Sequence, residues 1–330
     1  MSGSDQLYDV IIIGGGTTGL FAGYYASMRN LKVKIIEGHD DLGGKVRQFF
    51  PEKKLYDVGG MPGATGKEIV EQTIKQANMH AIEIITGQWV MKTEQLEDQS
   101  FALETSTGKV HHAKTILLAT AMGAFNVVTD AISENKLVEF KQSIATNLMH
   151  MSHYQNKKIA ISTNNRVGLD CALTLEKTAK SVYLINPADQ FQHAKEEELQ
   201  ALESSDIHVY KSSEILDIKG DNNRLHKVVL GNEEEIEVDY MLVYHGVKLR
   251  AIDFEDWGLT SEKGRLQVGM DMSTNRKGIY AAGDAVIYEG KTMLIASGYT
   301  EAITAINSIA QYVDPKAPAQ VYSTVIYRKR

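Results

Sequence analysis

Two blocks of this chain repeat one hydrophobic rhythm. Residues 10–13 form an apolar run that leads through three glycines into a stretch where Leu20, Ala22, Gly23, Tyr24, Ala26 and Met28 recur at helical spacing, and residues 33–36 are apolar again. This predicts a strand–helix–strand unit feeding a parallel sheet. The plan returns at residues 158–161, continues through a helical stretch at 167–179 and closes on the apolar run 181–185. Between the blocks, Met61-Pro62-Gly63 is a turn signal ahead of a helix predicted over 67–79, and residues 83–87 read as extended. Alternating runs at 100–105 and 109–118 flank Ser106-Thr107-Gly108 and predict a hairpin. A second hairpin is expected over 214–240, leading into 240–245. Residues 278–284 read as a strand running into a Gly-Asp turn, and 300–313 as a long closing helix. This layout inserts the second strand–helix–strand domain into the first, with crossings expected near 119–125 and 244–250.

Composition narrows the picture. A length of 330 residues with 43% hydrophobic content is enough for two buried cores. The balance of 35 basic against 42 acidic residues gives a net charge of -7, which offers no attraction for nucleic acid or an anionic membrane. The basic cluster Arg328-Lys329-Arg330 reads as a solvated terminus. The single cysteine, Cys171, excludes an internal disulfide, a CxxC redox pair and a cysteine-rich metal site, and fits a cytoplasmic location. The apolar run 10–13 is too short to span a membrane and lacks the flanks of a secretory signal. His111 and His112 fall on a predicted strand, point to opposite faces and cannot clamp one metal ion together. The polar, methionine-containing loop at 149–153 is read as structural, and no metal site is expected.

The first block carries the chemistry. Gly14, Gly16 and Gly19 are spaced as G-x-G-x-x-G between a strand and a helix: the first permits a tight turn, the second lets a pyrophosphate approach bare backbone, and the third lets helix pack on strand. The N-terminus of the helix then offers unpaired N–H groups and the positive end of its dipole to phosphate. Glu37 closes the second strand, 18 residues after Gly19, where a carboxylate can accept both ribose hydroxyls. These features define a dinucleotide site without choosing between FAD and NAD.

The run from Gly14 to Lys45, the pair Tyr56-Asp57, and the late segment 274–285 followed by 295–302 resemble the FAD-binding frame of the thioredoxin-reductase-like flavoproteins. That resemblance implies two Rossmann-like, doubly wound, three-layer α/β domains. The FAD domain comprises residues 1–121 and 246–330, and the NAD(P)H-binding-like domain is inserted at 122–245. It implies FAD held by Gly14, Gly16, Thr17, Thr18, Gly19, Glu37, Gly44, Lys45, Phe50, Tyr56, Asp57, Val90, Ala121, Phe125, Asp284 and Thr300. Asp284 would meet the ribitol, and a helix opening near Thr300 would face the pyrimidine edge, where reduced flavin carries negative charge. Thioredoxin reductases need a dithiol, which Cys171 alone cannot supply. The chain is more similar to the bacterial homodimeric ferredoxin (flavodoxin)–NADP reductases, through residues 49–57, 119–125, Trp257-Gly258-Leu259 and an extended tail at 321–324. By that resemblance Phe50 and Tyr322 stack on the flavin, Tyr322 from a partner subunit, and Ser323 is a candidate donor to flavin N5. The family more often has Tyr at Phe50, Gln at Lys45 and His at Tyr322. A lysine beside the flavin would favour its anionic reduced form.

The second block departs from the plan. Thr163 and Asn165 stand where the family has glycine, and only Gly168 matches. A β-branched residue at the tight turn and a side chain at the phosphate position both narrow the space for a pyrophosphate. The His-Arg-Arg run that clamps a 2'-phosphate in the family is replaced by Asn186-Pro187-Ala188, leaving Arg166 as the nearest candidate guanidinium. NADPH is therefore expected to bind weakly, by another geometry, or not at all. If Asn165 takes a left-handed turn, weak NADPH or NADH use survives. The leading expectation is an FAD oxidoreductase moving electrons between a nicotinamide nucleotide and a one-electron carrier such as ferredoxin or flavodoxin. One alternative is a reductase of a ferric siderophore or of a haem-degradation partner, and another is a flavin-binding docking or sensor protein without turnover.

Overall fold

The computed structural model describes residues 6–127, 132–148, 151–251 and 254–327. The chain splits into two compact units, Met1–Ala124 with Leu249–Arg330, and Phe125–Lys248.

The first unit is built on a sheet in which Leu7–Ile13 lies between Val33–Ile36 and Val110–Leu118, all parallel. Glu83–Ile85 extends the sheet beyond Val33–Ile36. On the other side, Phe101–Thr105 pairs antiparallel with the first half of Val110–Leu118, and Ile279–Ala281 pairs parallel with its last residues. The register brings the carboxyl ends together: Ile13 is opposite both Ile36 and Leu118, and Ala281 is opposite Leu118. Alternation does the rest. Val10 and Ile12 point into a core shared with the helices Thr17–Met28, Gly66–Ala77 and Ile295–Val313, whereas Ile11 and Ile13 point into a second core that includes Phe101, Phe254 and Trp257. The strands on either side of Leu7–Ile13 are reached in opposite directions, and it is at the carboxyl ends beside such a reversal that α/β sheets bind ligands.

The second unit repeats the parallel plan, in the order Ile144–Ala145, Tyr240–Tyr244, Lys158–Thr163, Ser181–Ile185, His208–Tyr210. The helices Arg166–Leu175 and Glu196–Glu203 belong to it. A three-stranded antiparallel sheet, Ile215–Asp221, Arg224–Leu230 and Glu235–Glu237, buries Ile218, Val228 and Ile236 in a core with Met241 and Val243.

Three expectations need correction. The closing helix starts at Ile295, five residues before the predicted start, and takes in Gly298 as a packing residue: a Cβ there would collide with Thr18 Oγ1. The helix predicted over 167–179 ends at Leu175, whose carbonyl accepts from Thr178 and Ala179 as the chain turns back toward the next strand. The tail read as extended contains a helical turn, Ser323–Ile326, with Tyr322 as its N-cap. The strand Val90–Gln95 completes the sheet edge and lies outside the predicted elements.

One polar cluster lies at the amino ends of these strands, with Tyr8, Lys34 and His111 buried and Glu83 reaching solvent. Lys34, 2% exposed, places Nζ 2.9 Å from Glu83 and 3.2 Å from His111 Nδ1, over the Tyr8 ring, while the Tyr8 hydroxyl donates to Glu83. His111 Nε2 is buried without a hydrogen-bond partner. Burial, then the neighbouring Lys34 ammonium, push the His111 pKa below its ordinary value. A histidine depressed in the folded state binds fewer protons than it does unfolded. Its contribution is therefore whole above the unfolded pKa of about 6.5 and declines as pH falls through that value. The thermal midpoint is expected to drop by a few degrees between pH 7.5 and 5.5, and His111→Leu should flatten that slope; an unchanged slope in the variant, followed by circular dichroism, would contradict this account.

Candidate functional site

The first glycine turn sits where three parallel strands end. Gly14 has φ +109, and a Cβ there would come within 2.5 Å of the Ala119 carbonyl oxygen. Gly19 packs so closely on the turn that a Cβ would collide with the Gly14 carbonyl. Gly16 differs. Its backbone is extended, φ −72 and ψ 179, and a Cβ would meet only the Gly44 Cα, at 3.9 Å. Glycine is thus demanded by the fold at Gly14 and Gly19, whereas at Gly16 it leaves a face open. Gly16 is also the N-cap of Thr17–Met28, with no side-chain cap and no acidic residue in the first turn, so the N-terminal N–H groups face that opening.

Glu37 is 7% exposed and fixes the turn. Its carboxylate accepts from Gly15 N–H at 2.6 Å and from His39 N–H at 2.8 Å. A second glycine loop closes on the first: Gly43 N–H donates to the Gly15 carbonyl at 2.8 Å, Gly16 and Gly43 form a parallel bridge, and Gly44 follows with φ +54. Lys45 leaves this loop to pair with Asp284 at 2.9 Å, joining residues 239 apart in sequence. Asp284 belongs to the turn Gly283–Ala285, which follows Ile279–Ala281 and rests against Thr18.

Sequence reasoning missed the group behind this turn. Glu301, 3% exposed, accepts from Gly283 N–H at 2.7 Å through one oxygen, and from Tyr288 OH at 2.7 Å and Lys291 Nζ at 2.6 Å through the other. The Lys291 side chain is itself 4% exposed. Burial, then the adjacent Glu301, push the Tyr288 pKa up to about 12. The signal was present: Glu301 lies on the apolar stripe of its helix, with Gly298, Ala302, Ala305 and Ile309.

Thr17 is buried and Thr18 partly buried at the first turn. The other residues expected at the site are scattered more widely. Phe50 is 41% exposed and meets Phe49 edge-on at 6.3 Å; Tyr56 and Asp57 are exposed; Val90 opens an edge strand. Ala121 holds φ +53 in the turn closed by Gly123 N–H on the Thr120 carbonyl, a conformation that costs energy for a residue with a Cβ and that lies just past the carboxyl end of Val110–Leu118. Phe125 lies on Gly123–Val127, and its side chain is outside the described residues. Thr300 does not open its helix. It lies in the second turn with its hydroxyl on the Ala296 carbonyl, so the helix N-terminus belongs to residues 295–297. Tyr322 is exposed and its hydroxyl accepts from Gln320; Ser323 follows it into the helical turn.

The second turn keeps the backbone links of the first and has different occupants. Asn165 and Gln192 form a parallel bridge as Gly16 and Gly43 do, and Gln192 N–H donates to the Asn164 carbonyl as Gly43 N–H does to that of Gly15. Asn186 matches Glu37: its N–H donates to Tyr210 as that of Glu37 does to Ile85. The side chains diverge. Asn165 is extended, φ −142, which removes the expectation of a left-handed turn, and its side chain accepts from Val167 N–H at 3.0 Å and donates to Tyr244. Arg166 N–H is taken by the Gln192 carbonyl. Two N–H groups at this helix start are therefore occupied by the protein itself. Thr163 is fully buried and packs against Gly168, where a Cβ would collide with it, so its side chain lies beneath the helix and not in the phosphate space as expected. The Arg166 guanidinium is held by Glu198, at 2.7 and 2.9 Å. Asn186, fully buried, caps its own loop, accepting from Ala188 N–H and donating to Gln190. Among the described residues, no group of acids, histidines or cysteines is arranged to hold a metal ion, and no helix is long and apolar enough to cross a membrane.

Comparison with known proteins agrees with this geometry. The chain is 36% identical to ferredoxin–NADP reductase 1 of Bacillus velezensis, over 98% of both chains. It is 35% identical to ferredoxin–NADP reductase 2 of Oceanobacillus iheyensis, over 98% of this chain and 99% of that one. Its fold is that of the thioredoxin reductases of T. acidophilum, TM-score 0.63 at 21% identity over 93% of this chain and 99% of that chain, and of Lactococcus lactis, TM-score 0.61 at 22% identity over the same shares. The profile of the pyridine nucleotide-disulphide oxidoreductases matches residues 8–308, and the chain belongs to that family of oxidoreductases.

Proposed function

We propose that this chain is an FAD-dependent reductase that moves electrons between a nicotinamide nucleotide and a one-electron protein carrier of the ferredoxin or flavodoxin kind. One observation carries the reading: the open face over Gly16, at the start of an uncapped helix, beside a buried carboxylate. The residues fit FAD. N–H groups at Thr17 and Thr18 would receive the pyrophosphate, Glu37 the adenosine ribose, and Asp284 with Lys45 the flavin side. Bound there, FAD supplies the chemistry, because it accepts a hydride and releases single electrons. The residues of the chain position it and exclude water, with Phe50 and Tyr322 as covers, the latter from a second copy in a homodimer. The single Cys171 leaves no dithiol for disulfide chemistry, and the names of the relatives support a ferredoxin-type acceptor. A cytoplasmic location is consistent with such a partner.

At the second turn we infer poor discrimination between NADPH and NADH. A 2'-phosphate selects NADPH when guanidinium groups pair with it. Here Pro187 and Ala188 cannot, and Arg166 is committed to Glu198.

Two experiments test these readings. The purified protein should be yellow and release about one FAD per chain on heating. Gly16→Val should fold with a stability change of about 1 kcal/mol, since its backbone is compatible with a side chain, yet be isolated without flavin; a yellow Gly16→Val protein refutes the site. Grafting Pro187→Arg with Ala188→Arg adds two charged contacts of about 1.5–3 kcal/mol each at best and should raise the kcat/KM preference for NADPH over NADH by roughly tenfold or more. No change in that ratio would show that the 2'-phosphate lies elsewhere.

A further inference from the structure

We propose that Glu301 is a positioning residue of the flavin site, setting the Gly283–Asp284 turn from behind while Lys291 keeps its buried charge neutral; this rests on the FAD reading above. Gly283 has φ +77 and donates its N–H to Glu301 at 2.7 Å, so the carboxylate holds the Ala282–Gly283 peptide unit, on which the left-handed turn into Asp284 is built. Thr18, in the first turn of the glycine-turn helix, packs against both Gly283 and Gly298, the latter in the helix that carries Glu301. Movement of Glu301 is therefore felt at both the Gly-Asp turn and the helix N-terminus. In front, Asp284 meets Lys45 at 2.9 Å.

An unpaired carboxylate at 3% exposure is costly, and the Lys291 ammonium at 2.6 Å with the Tyr288 hydroxyl at 2.7 Å offsets that cost. The division of labour is visible in the two oxygens: Oε1 faces Lys291 and Tyr288, and Oε2 faces Gly283. A carboxamide cannot serve both sides while the ammonium is present, because its oxygen turns to the cation and its NH2 then confronts the Gly283 N–H. Without the lysine the amide can reverse, accepting from Gly283 and donating to the Tyr288 oxygen.

The test compares FAD affinity of the flavin-stripped full chain with its thermal midpoint in three variants. Glu301→Gln should weaken FAD binding at least tenfold. Lys291→Met should lower the midpoint yet keep FAD affinity within threefold, since the Gly283 contact survives. Lys291→Met combined with Glu301→Gln should restore affinity to within threefold of wild type. Equal affinity of Glu301→Gln and wild type overturns the proposal, as does a loss in Lys291→Met as large as that in Glu301→Gln, which would mark a role in stability alone; failure of the double variant to recover also overturns it. Failure of the wild-type chain itself to take up FAD sinks the flavin reading instead.

Discussion

The hydrogen bond from Gly15 N–H to the Glu37 carboxylate is the constraint on which the rest of the first site depends. It joins the end of one strand to the turn after its neighbour and orients a buried acid. It also takes up an N–H of the turn that the strand does not satisfy, so the N–H groups that follow, at the helix start, are left for a ligand. Gly14 and Gly19 make the closure sterically possible, and the Gly43 loop holds it from the side. The loops that carry Lys45, Asp284 and Ala121 are then brought to one place because their strands end in register at Ile13, Leu118 and Ala281.

The second unit shows what happens when the cross-loop links are kept and that constraint is changed. Asn186 stands where Glu37 does, but an amide carries its own donor, and here it closes on Ala188 and Gln190 within its loop. Asn165 then caps the helix, the Gln192 carbonyl takes the next N–H, and Glu198 takes the arginine. A turn that accepts phosphate by leaving donors open has become one that satisfies them internally. Burying the protein's own hydrogen bonds stabilises the turn, and any nucleotide must compete with them.

Much of this was legible in the sequence, for a physical reason. Strand–helix–strand periodicity and the glycine spacing are local, so the paired units, Gly14, Gly16, Gly19 and Glu37, and the altered Thr163 and Asn165 could be read directly. What was hidden depends on which loops the topology brings together. Lys45 reaches Asp284 across 239 residues, and Arg166 reaches Glu198 across 32. Gly298 is a packing residue because Thr18 rests on it, from a helix far away in sequence. Glu301 alone left a trace, as a single acid on an otherwise apolar helix face. The direction of Thr163, beneath the helix and not toward a ligand, is set by its packing on Gly168, which no spacing rule expresses.

One turn receives a dinucleotide while its twin satisfies its donors within the protein. This contrast is tested most directly by mixing the flavin-loaded protein anaerobically with NADPH or NADH and following bleaching of the flavin band in a stopped-flow instrument. Slow bleaching is expected, saturating only at high nucleotide concentration, with rate constants for the two nucleotides within about tenfold of each other, a difference of roughly 1.4 kcal/mol. Rapid bleaching that saturates at low NADPH, with NADH more than about a hundredfold poorer, would contradict it.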